Sequence, residues 1–278
     1  MDLTRLTMIV VPGITICMPV LILFFGSLAD EIEWAGRMMS MIMDDQGYVS
    51  WKWIPDYPTL DNFVELLFLT PEFLKLFWNS MKITGGILAG QLVFGIPAAW
   101  GLAHYDFPGR KVIYLSYMVL MMMPFQVTML SEYLVLEGLG LSDTLSAVIL
   151  PGIFSTFPPF VMYRFFCGIP GSLLEAARVD GAGELRIFVS IGIPVGSSGI
   201  LSVMILQFLE CQSMIEQPAA FLKTKSLWPL ALYLPEIRLE EAGFAFCASF
   251  MALLPALLVF LCGQDYLEQG IAAAAIKE

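Results

Sequence analysis

At 278 residues, with 58% hydrophobic side chains and only 14% charged ones, the chain carries more apolar surface than one water-soluble core can hide. Its mean hydropathy of +0.77 places it in a lipid bilayer. The net charge of −11 excludes the basic footprint of a nucleic-acid partner, and Cys17, Cys167, Cys211, Cys247 and Cys262 lie scattered without CxxC or metal-ligand spacing, as small apolar fillers do.

Six apolar runs are each long enough to cross roughly 30 Å of hydrocarbon: Thr7 to Leu28, Ser80 to Ala103, Val112 to Ser131, Thr144 to Phe166, Gly196 to Met214 and Ala242 to Gly263. They predict an all-α integral membrane protein, a single transmembrane domain of six helices over residues 1–278. The first run lacks the small-residue cleavage pattern of a removable signal and reads as a retained helix.

Residues 29–79 form a long segment expected outside. Asp30, Glu31 and Glu33, followed by Met38, Met39, Met41, Ile42 and Met43, suggest a short amphipathic helix on the outer membrane surface. Trp51, Trp53 and Tyr57, in an irregular stretch from Gly47 to Pro58, fit the aromatic belt at headgroup level, with stacking on sugar rings as the alternative. Lys and Arg divide evenly, seven to each side. Arg110 and Lys111, however, occupy the tight turn after span two, and the short loop after span three has no basic residue, so the Arg110 side is read as cytoplasmic and both termini with it. Pro97, Pro124, Pro158 and Pro159 break backbone hydrogen bonds inside the spans, which predicts kinked helices packed against a partner.

Between spans four and five, residues 175–194 read EAARVDGAGELRIFVSIGIP. Ser172 and Glu175 have the spacing of a capping box that would start a helix near Leu173. Ala176 and Ala177 leave a face that can approach another surface closely. Asp180, Gly181 and Gly183 stop the helix and turn the chain. A second helix begins near Glu184, with Leu185, Phe188 and Ile191 on one face and Pro194 leading into span five. Two short helices bent at glycine have the form of a docking element for a partner.

Glu175, Ala176, Ala177, Gly181, Ile191, Ile193 and Pro194 resemble the cytoplasmic loop of binding-protein-dependent ABC importer permeases, whose pattern is E-A-A, three residues, Gly, nine residues, I-x-L-P. Only Ile193 departs, replacing Leu. Asn79-Ser80, Phe107 to Lys111 (FPGRK), Met123 to Gln126 (MPFQ) and Gly140 to Pro151 (GLSDTLSAVILP) extend the resemblance to the carbohydrate-type, maltose-like permeases. Gly263 to Gly270 followed by IAAAAIKE is similar to their C-terminal tail, which reaches toward the ATPase dimer. The resemblance covers most of the chain from Thr59 onward, whereas residues 30–47 are longer and more particular than the family pattern.

The resemblance implies a type I ABC importer permease fold with a cytoplasmic coupling loop at 167–195 and a cytoplasmic tail at 264–278. It implies a subunit of a sugar or oligosaccharide importer in a bacterial or archaeal plasma (inner) membrane. Its partners would be a second homologous permease, an ABC ATPase dimer that binds ATP and Mg, and an extracytoplasmic solute-binding protein. Glu175, Ala176, Ala177, Asp180, Gly181, Ile191 and Pro194 would carry the coupling to the ATPase. The chain itself contains no Gly-Lys dipeptide, hence no GxxxxGK[ST] loop to cradle nucleotide phosphates, and no catalytic constellation. It is expected to bind no cofactor.

Polar side chains within spans face a cavity or a protein neighbour. Gln91, Gln126, Thr128, Gln207, Glu210 and Gln212 are such residues. Gln207 and Glu210, three apart, are expected to share a face and line the solute path, with simple interhelical bonding as the alternative. Glu210 also fits a proton-coupled secondary transporter. A phosphorylated polyol or other non-sugar cargo, and a scaffold that only recruits an ATPase, are further alternatives. His104, the only histidine, is read as structural.

Overall fold

Where backbone groups cannot reach water, only helices or closed barrels satisfy them, and the computed structural model of the chain is helical accordingly. It describes residues 3–42, 52, 54–234 and 241–275, with side chains at 8, 10–36, 52, 54–234 and 241–268. The elements are α1 (Leu3–Ser27), α2 (Glu31–Ile42), α3 (Asp61–Val64) with a π-turn Glu65–Leu69, α4 (Pro71–Gly90), a π-turn Gln91–Gly95 and α5 (Ile96–His104). There follow α6 (Arg110–Met121), α7 (Phe125–Gly138), α8 (Leu145–Ile153), α9 (Phe157–Phe166), α10 (Gly171–Val179) and α11 (Glu184–Ile187). After a π-turn Phe188–Gly192 come α12 (Ile193–Val195), α13 (Ser197–Gln212), α14 (Glu216–Phe221), α15 (Leu230–Tyr233) and α16 (Ala242–Ala275). Among the described residues, four helices are long and apolar enough to cross a membrane, or up to six if each bent pair forms one span.

Two compact units divide the chain: residues 1–78 with 230–255, and 79–229 with 256–278. In the first, α2 begins where Asp30 Oδ1 accepts the Glu31 amide at 2.8 Å, and Glu31 and Glu33 in its first turn suit the positive end of the helix dipole. Trp34 stacks on Phe246 at 4.7 Å and donates its indole N–H to the Gly26 carbonyl at 3.0 Å. Asn62 donates to the carbonyls of Ser27 and Ala29, which the end of α1 leaves without helical donors. Tyr57 is 77% exposed. Trp51, Trp53, Met43 and the side chains of Met38 to Ile42 lie outside the described residues.

The spans differ from their sequence outlines in three ways. The helix that carries span two begins at Pro71, nine residues before the expected Ser80, because Pro at the first helical position starts a helix without losing a hydrogen bond. Span three is two helices bent by 107° between Met121 and Phe125, where Pro124 takes an extended ψ of 147°. Span six does not stop at Gly263: α16 continues as helix through Ala275 into the expected tail.

Spans two and four interlock through small residues. Gly86 and Gly90, four apart on α4, receive Ile149 and Ile153 of α8, and Gly152 of α8 receives Ile87. Helices in lipid gain little from hydrophobic exclusion, so such close van der Waals approach is what holds them. At the opposite end from Arg110, loops are tied by polar side chains. Asn79 donates to the carbonyls of Ser226 and Trp228. Asp143, whose φ of 56° is the left-handed exception among described non-glycine residues, accepts the amides of Lys223 and Thr224 at 2.8 and 2.9 Å and the Thr224 hydroxyl at 2.5 Å.

Gly90→Val should overpack the Ile153 side chain and cost about 1–3 kcal/mol, read as a lowered unfolding midpoint in detergent; Ile153→Ala in the same chain should recover part of the loss. The Thr224 hydroxyl, helped by the Thr224 and Lys223 amides, holds the Asp143 carboxyl below its ordinary value. Its stabilisation is therefore present above the unfolded value of about 3.9 and disappears as pH falls through the lower folded value. Amide exchange of residues 222–229 should accelerate over that acid range, and Asp143→Asn should flatten the response.

Candidate functional site

The segment 167–195 folds on local rules. Pro170 is extended, and α10 begins at Gly171, so Ser172 already lies in the first turn and makes no capping bond. The expected capping box is therefore absent: the turn after Pro170 starts the helix two residues too early for Ser172 to stand at the cap. The helix ends as expected at Asp180. The Gly181 amide bonds the Arg178 carbonyl and the Ala182 amide bonds that of Ala177, the paired bonds of a Schellman motif. Gly181 supplies the required positive φ of 81°. Across this turn Arg178 grips Glu184 through Nε at 2.7 Å and Nη2 at 3.3 Å, and the Tyr105 hydroxyl reaches the same carboxylate at 3.3 Å. The Glu184 carboxylate raises the Arg178 guanidinium above its ordinary range.

One side of the segment is sealed onto the spans. Leu174 and Ile187 are buried with Ile96, Ala99, Trp100, Met162, Phe166, Ile200 and Val203, and Ala177, Phe188 and Ile191 pack on that core. The apolar seam thus runs through Ile187, Phe188 and Ile191. Leu185, expected on it, is 76% exposed, because the π-turn Phe188–Gly192 breaks the regular helical period on which that expectation stood. Trp100 fills the space where a Cβ on Gly192 would lie 2.5 Å from its ring, and Phe166 and Phe165 do the same at Gly196 and Gly199. Trp100 also meets Phe166 edge-on at 5.3 Å and His104 at 4.0 Å. His104 packs on the Trp100 ring with its Nε2 enclosed and unpartnered.

The other side is open. Glu175, Ala176, Asp180, Gly181 and Pro194 are exposed, and among them stand Leu173, Val179 (87% exposed), Leu185 and Val189. Four apolar side chains thus stand at the surface of an otherwise polar loop. Neither they nor the Arg178–Glu184 clamp follow from the motif; a basic and an acidic residue flanking a glycine turn were the available signal.

The expected path residues do not converge. Gln91 is fully buried and donates to the Gly152 carbonyl at 2.8 Å. Gln207 is buried with its amide on the Cys211 sulfur at 3.6 Å, whereas Glu210 is exposed. The two remain three apart on α13, one side chain enclosed and the other at the surface. Gln126 donates to Glu216 at 2.7 Å, Gln212 to Thr84 at 3.1 Å and Thr128 to its own helix. On α16, Gly263 accommodates Ile205, and the Ser202 hydroxyl lies 2.5 Å from the Tyr266 carbonyl, fastening the start of the tail to α13. Among the described residues no cluster of three His, Cys, Asp or Glu could hold a metal ion.

Residues 91–273 match the family described as binding-protein-dependent transport system inner membrane component. The arabinooligosaccharides transport system permease protein AraQ of Halalkalibacterium halodurans is 28% identical, over 93% of this chain and 90% of that protein. The sn-glycerol-3-phosphate transport system permease protein UgpE of Brucella abortus is 30% identical over 56% of this chain and 51% of its own length. In the crystal structure of a bacterial ABC transporter involved in the import of the acidic polysaccharide alginate, one chain superposes with a TM-score of 0.80 at 19% identity, covering 95% of both chains. At that identity the likeness establishes the fold, that of a type I ABC importer permease. With its multi-pass helices and two-helix loop, the chain belongs to the binding-protein-dependent transport system inner membrane components, as an ABC importer permease.

Proposed function

We propose that this chain is a membrane-spanning subunit of an ATP-driven importer of a sugar or oligosaccharide, and that residues 167–195 couple it to a partner ATPase. The carrying observation is the two-sidedness of that segment, fused to spans two, four and five through the Trp100 core and open along Leu173, Val179 and Leu185. A push on the open side is delivered to the spans without an intervening flexible joint at the loop. Support for the cargo class comes from the arabinooligosaccharide relative, aligned over nearly the whole chain.

In this reading the segment 167–195 and the tail 264–278 lie in the cytoplasm, as do both termini, within a plasma (inner) membrane. Two ATPase subunits close on ATP and Mg, and a second homologous permease completes the path that an extracytoplasmic binding protein loads. Glu175 and Asp180 offer charge to the docking groove, Ala176 permits close approach, and Gly181 sets the bend. Ile191 and Pro194 carry the movement into span five, giving alternating access by rocking of packed helices. Gln126 and Glu210, exposed on this chain, are the path residues, while Gln91 and Gln207 act as ties between or within helices. The glycerol-3-phosphate relative favours a second cargo class, a phosphorylated polyol, over the half of the chain it matches.

In proteoliposomes holding the whole complex, Glu175→Lys should leave the subunit inserted but abolish ATP-driven solute uptake; normal uptake would contradict the role of Glu175. Uptake that needs a proton gradient and not ATP would identify a secondary transporter instead. Val179→Asp should reduce recovery of the ATPase with this chain by about tenfold or more, because desolvating an added carboxylate at an apolar contact exceeds the ~1.4 kcal/mol that a tenfold change represents.

A further inference from the structure

Spans two and four are both interrupted, and the interruptions face each other. In span two the π-turn Gln91–Gly95 leads into α5, whose Pro97 has no N–H to return to the preceding turn. In span four the helix stops at Ile153 and resumes at Phe157. Pro158 and Pro159 cannot donate to the carbonyls of Phe154 and Ser155, one turn back. The two breaks touch at three points. Gln91 donates to the Gly152 carbonyl at 2.8 Å, the Phe94 and Phe154 rings lie 5.6 Å apart, and a Cβ on Gly95 would sit 3.5 Å from Pro159.

Packing is tight on either side of this layer. Toward Asp143, the isoleucine and glycine residues of α4 and α8 interlock. Toward Arg110, Ile96, Ala99 and Trp100 of α5 pack with Met162 and Phe166 of α9 in the core that also holds Leu174 and Ile187. Between these blocks the backbone has lost part of its helical bonding. Gln91, fully enclosed there, has an Oε1 without a hydrogen-bond partner. An enclosed orphan acceptor is costly in any fixed structure, and it is accounted for if the layer has a second arrangement in which the amide pairs differently.

We infer that this layer is an articulation: the α5–α9 block, carrying the 167–195 loop, tilts as one body against the α4–α8 block. Gln91 is its positioning residue, holding the broken span four through the Gly152 carbonyl and moving along the carbonyls that Pro158 and Pro159 leave without donors. What drives the tilt rests on the ATPase-coupled reading above; the existence of the joint does not.

The test uses the complete complex in lipid nanodiscs, with the five native cysteines of this chain replaced by serine and nitroxide pairs attached at exposed positions. Lys82 with Ser146 reports within the α4–α8 block and Phe107 with Arg164 within the other; Lys82 with Phe107 and Ser146 with Arg164 report across the layer. Pulsed electron resonance distances with and without ATP should leave both within-block distributions fixed and shift both cross-layer ones. Gln91→Leu should broaden the cross-layer distributions without nucleotide while the within-block widths stay unchanged. Gln91→Asn, which keeps the amide but falls short of Gly152, serves if the leucine chain does not insert. Cross-layer distances as constant as the within-block ones, in a complex whose ATP-driven uptake is intact, would overturn the articulation and leave the coupling reading standing. Absence of ATP-driven uptake in the unlabelled complex would overturn the coupling reading instead. The joint would then be judged on the Gln91 variants alone, and unchanged cross-layer widths there would overturn it.

Discussion

A carbonyl released from a helix inside hydrocarbon has no water to turn to, and the architecture of this chain depends on how each such release is met. At the end of α8 the Gly152 carbonyl, which the Phe154 and Ser155 amides also reach, takes the Gln91 amide as a further donor. At the end of α1 the carbonyls of Ser27 and Ala29 are met by Asn62. The carbonyls of Ser226 and Trp228 are met by Asn79. Three amide side chains thus brace backbone where helices end or turn. Each does so from a distant part of the sequence, which makes the interruptions specific features of one fold and not loose ends.

Glycine has a complementary task. Gly86, Gly90 and Gly152 admit isoleucines, and Gly192, Gly196 and Gly199 admit the rings of Trp100, Phe166 and Phe165. A helix face stripped of side chains lets a neighbour's side chain reach its backbone, where dispersion contacts are densest. The aromatic group of contacts lies directly beneath the two-helix loop, so the loop and the ends of three spans share one packed core.

Much of this was legible in the chain. Runs of about 20 apolar residues mark spans because the bilayer imposes that length, and the glycine stop at Gly181 was legible because only a positive φ closes that helix so tightly. The bend in span three was signalled in kind by Pro124, but its size depends on what packs around it. The capping box misled because Ser-x-x-Glu spacing says nothing of the extended Pro170 just before it. Leu185 was misplaced because a π-turn adds a residue that no regular period anticipates. Gln91 announced that it needed a partner. That the partner is a carbonyl 61 positions away is a property of the packed helices.

The Schellman turn and the Arg178–Glu184 grip have one more implication. A loop of this length left to fluctuate would lose roughly 1–2 kcal/mol of conformational entropy for each residue ordered on contact, enough to cancel much of a small interface. Here the bend is closed by its own backbone bonds and braced by a two-point ion pair with Tyr105 behind it. The ordering is completed during folding. A partner docking on it, as proposed above, would meet a surface ordered beforehand, so that complementarity and not induced structure would set the strength of association.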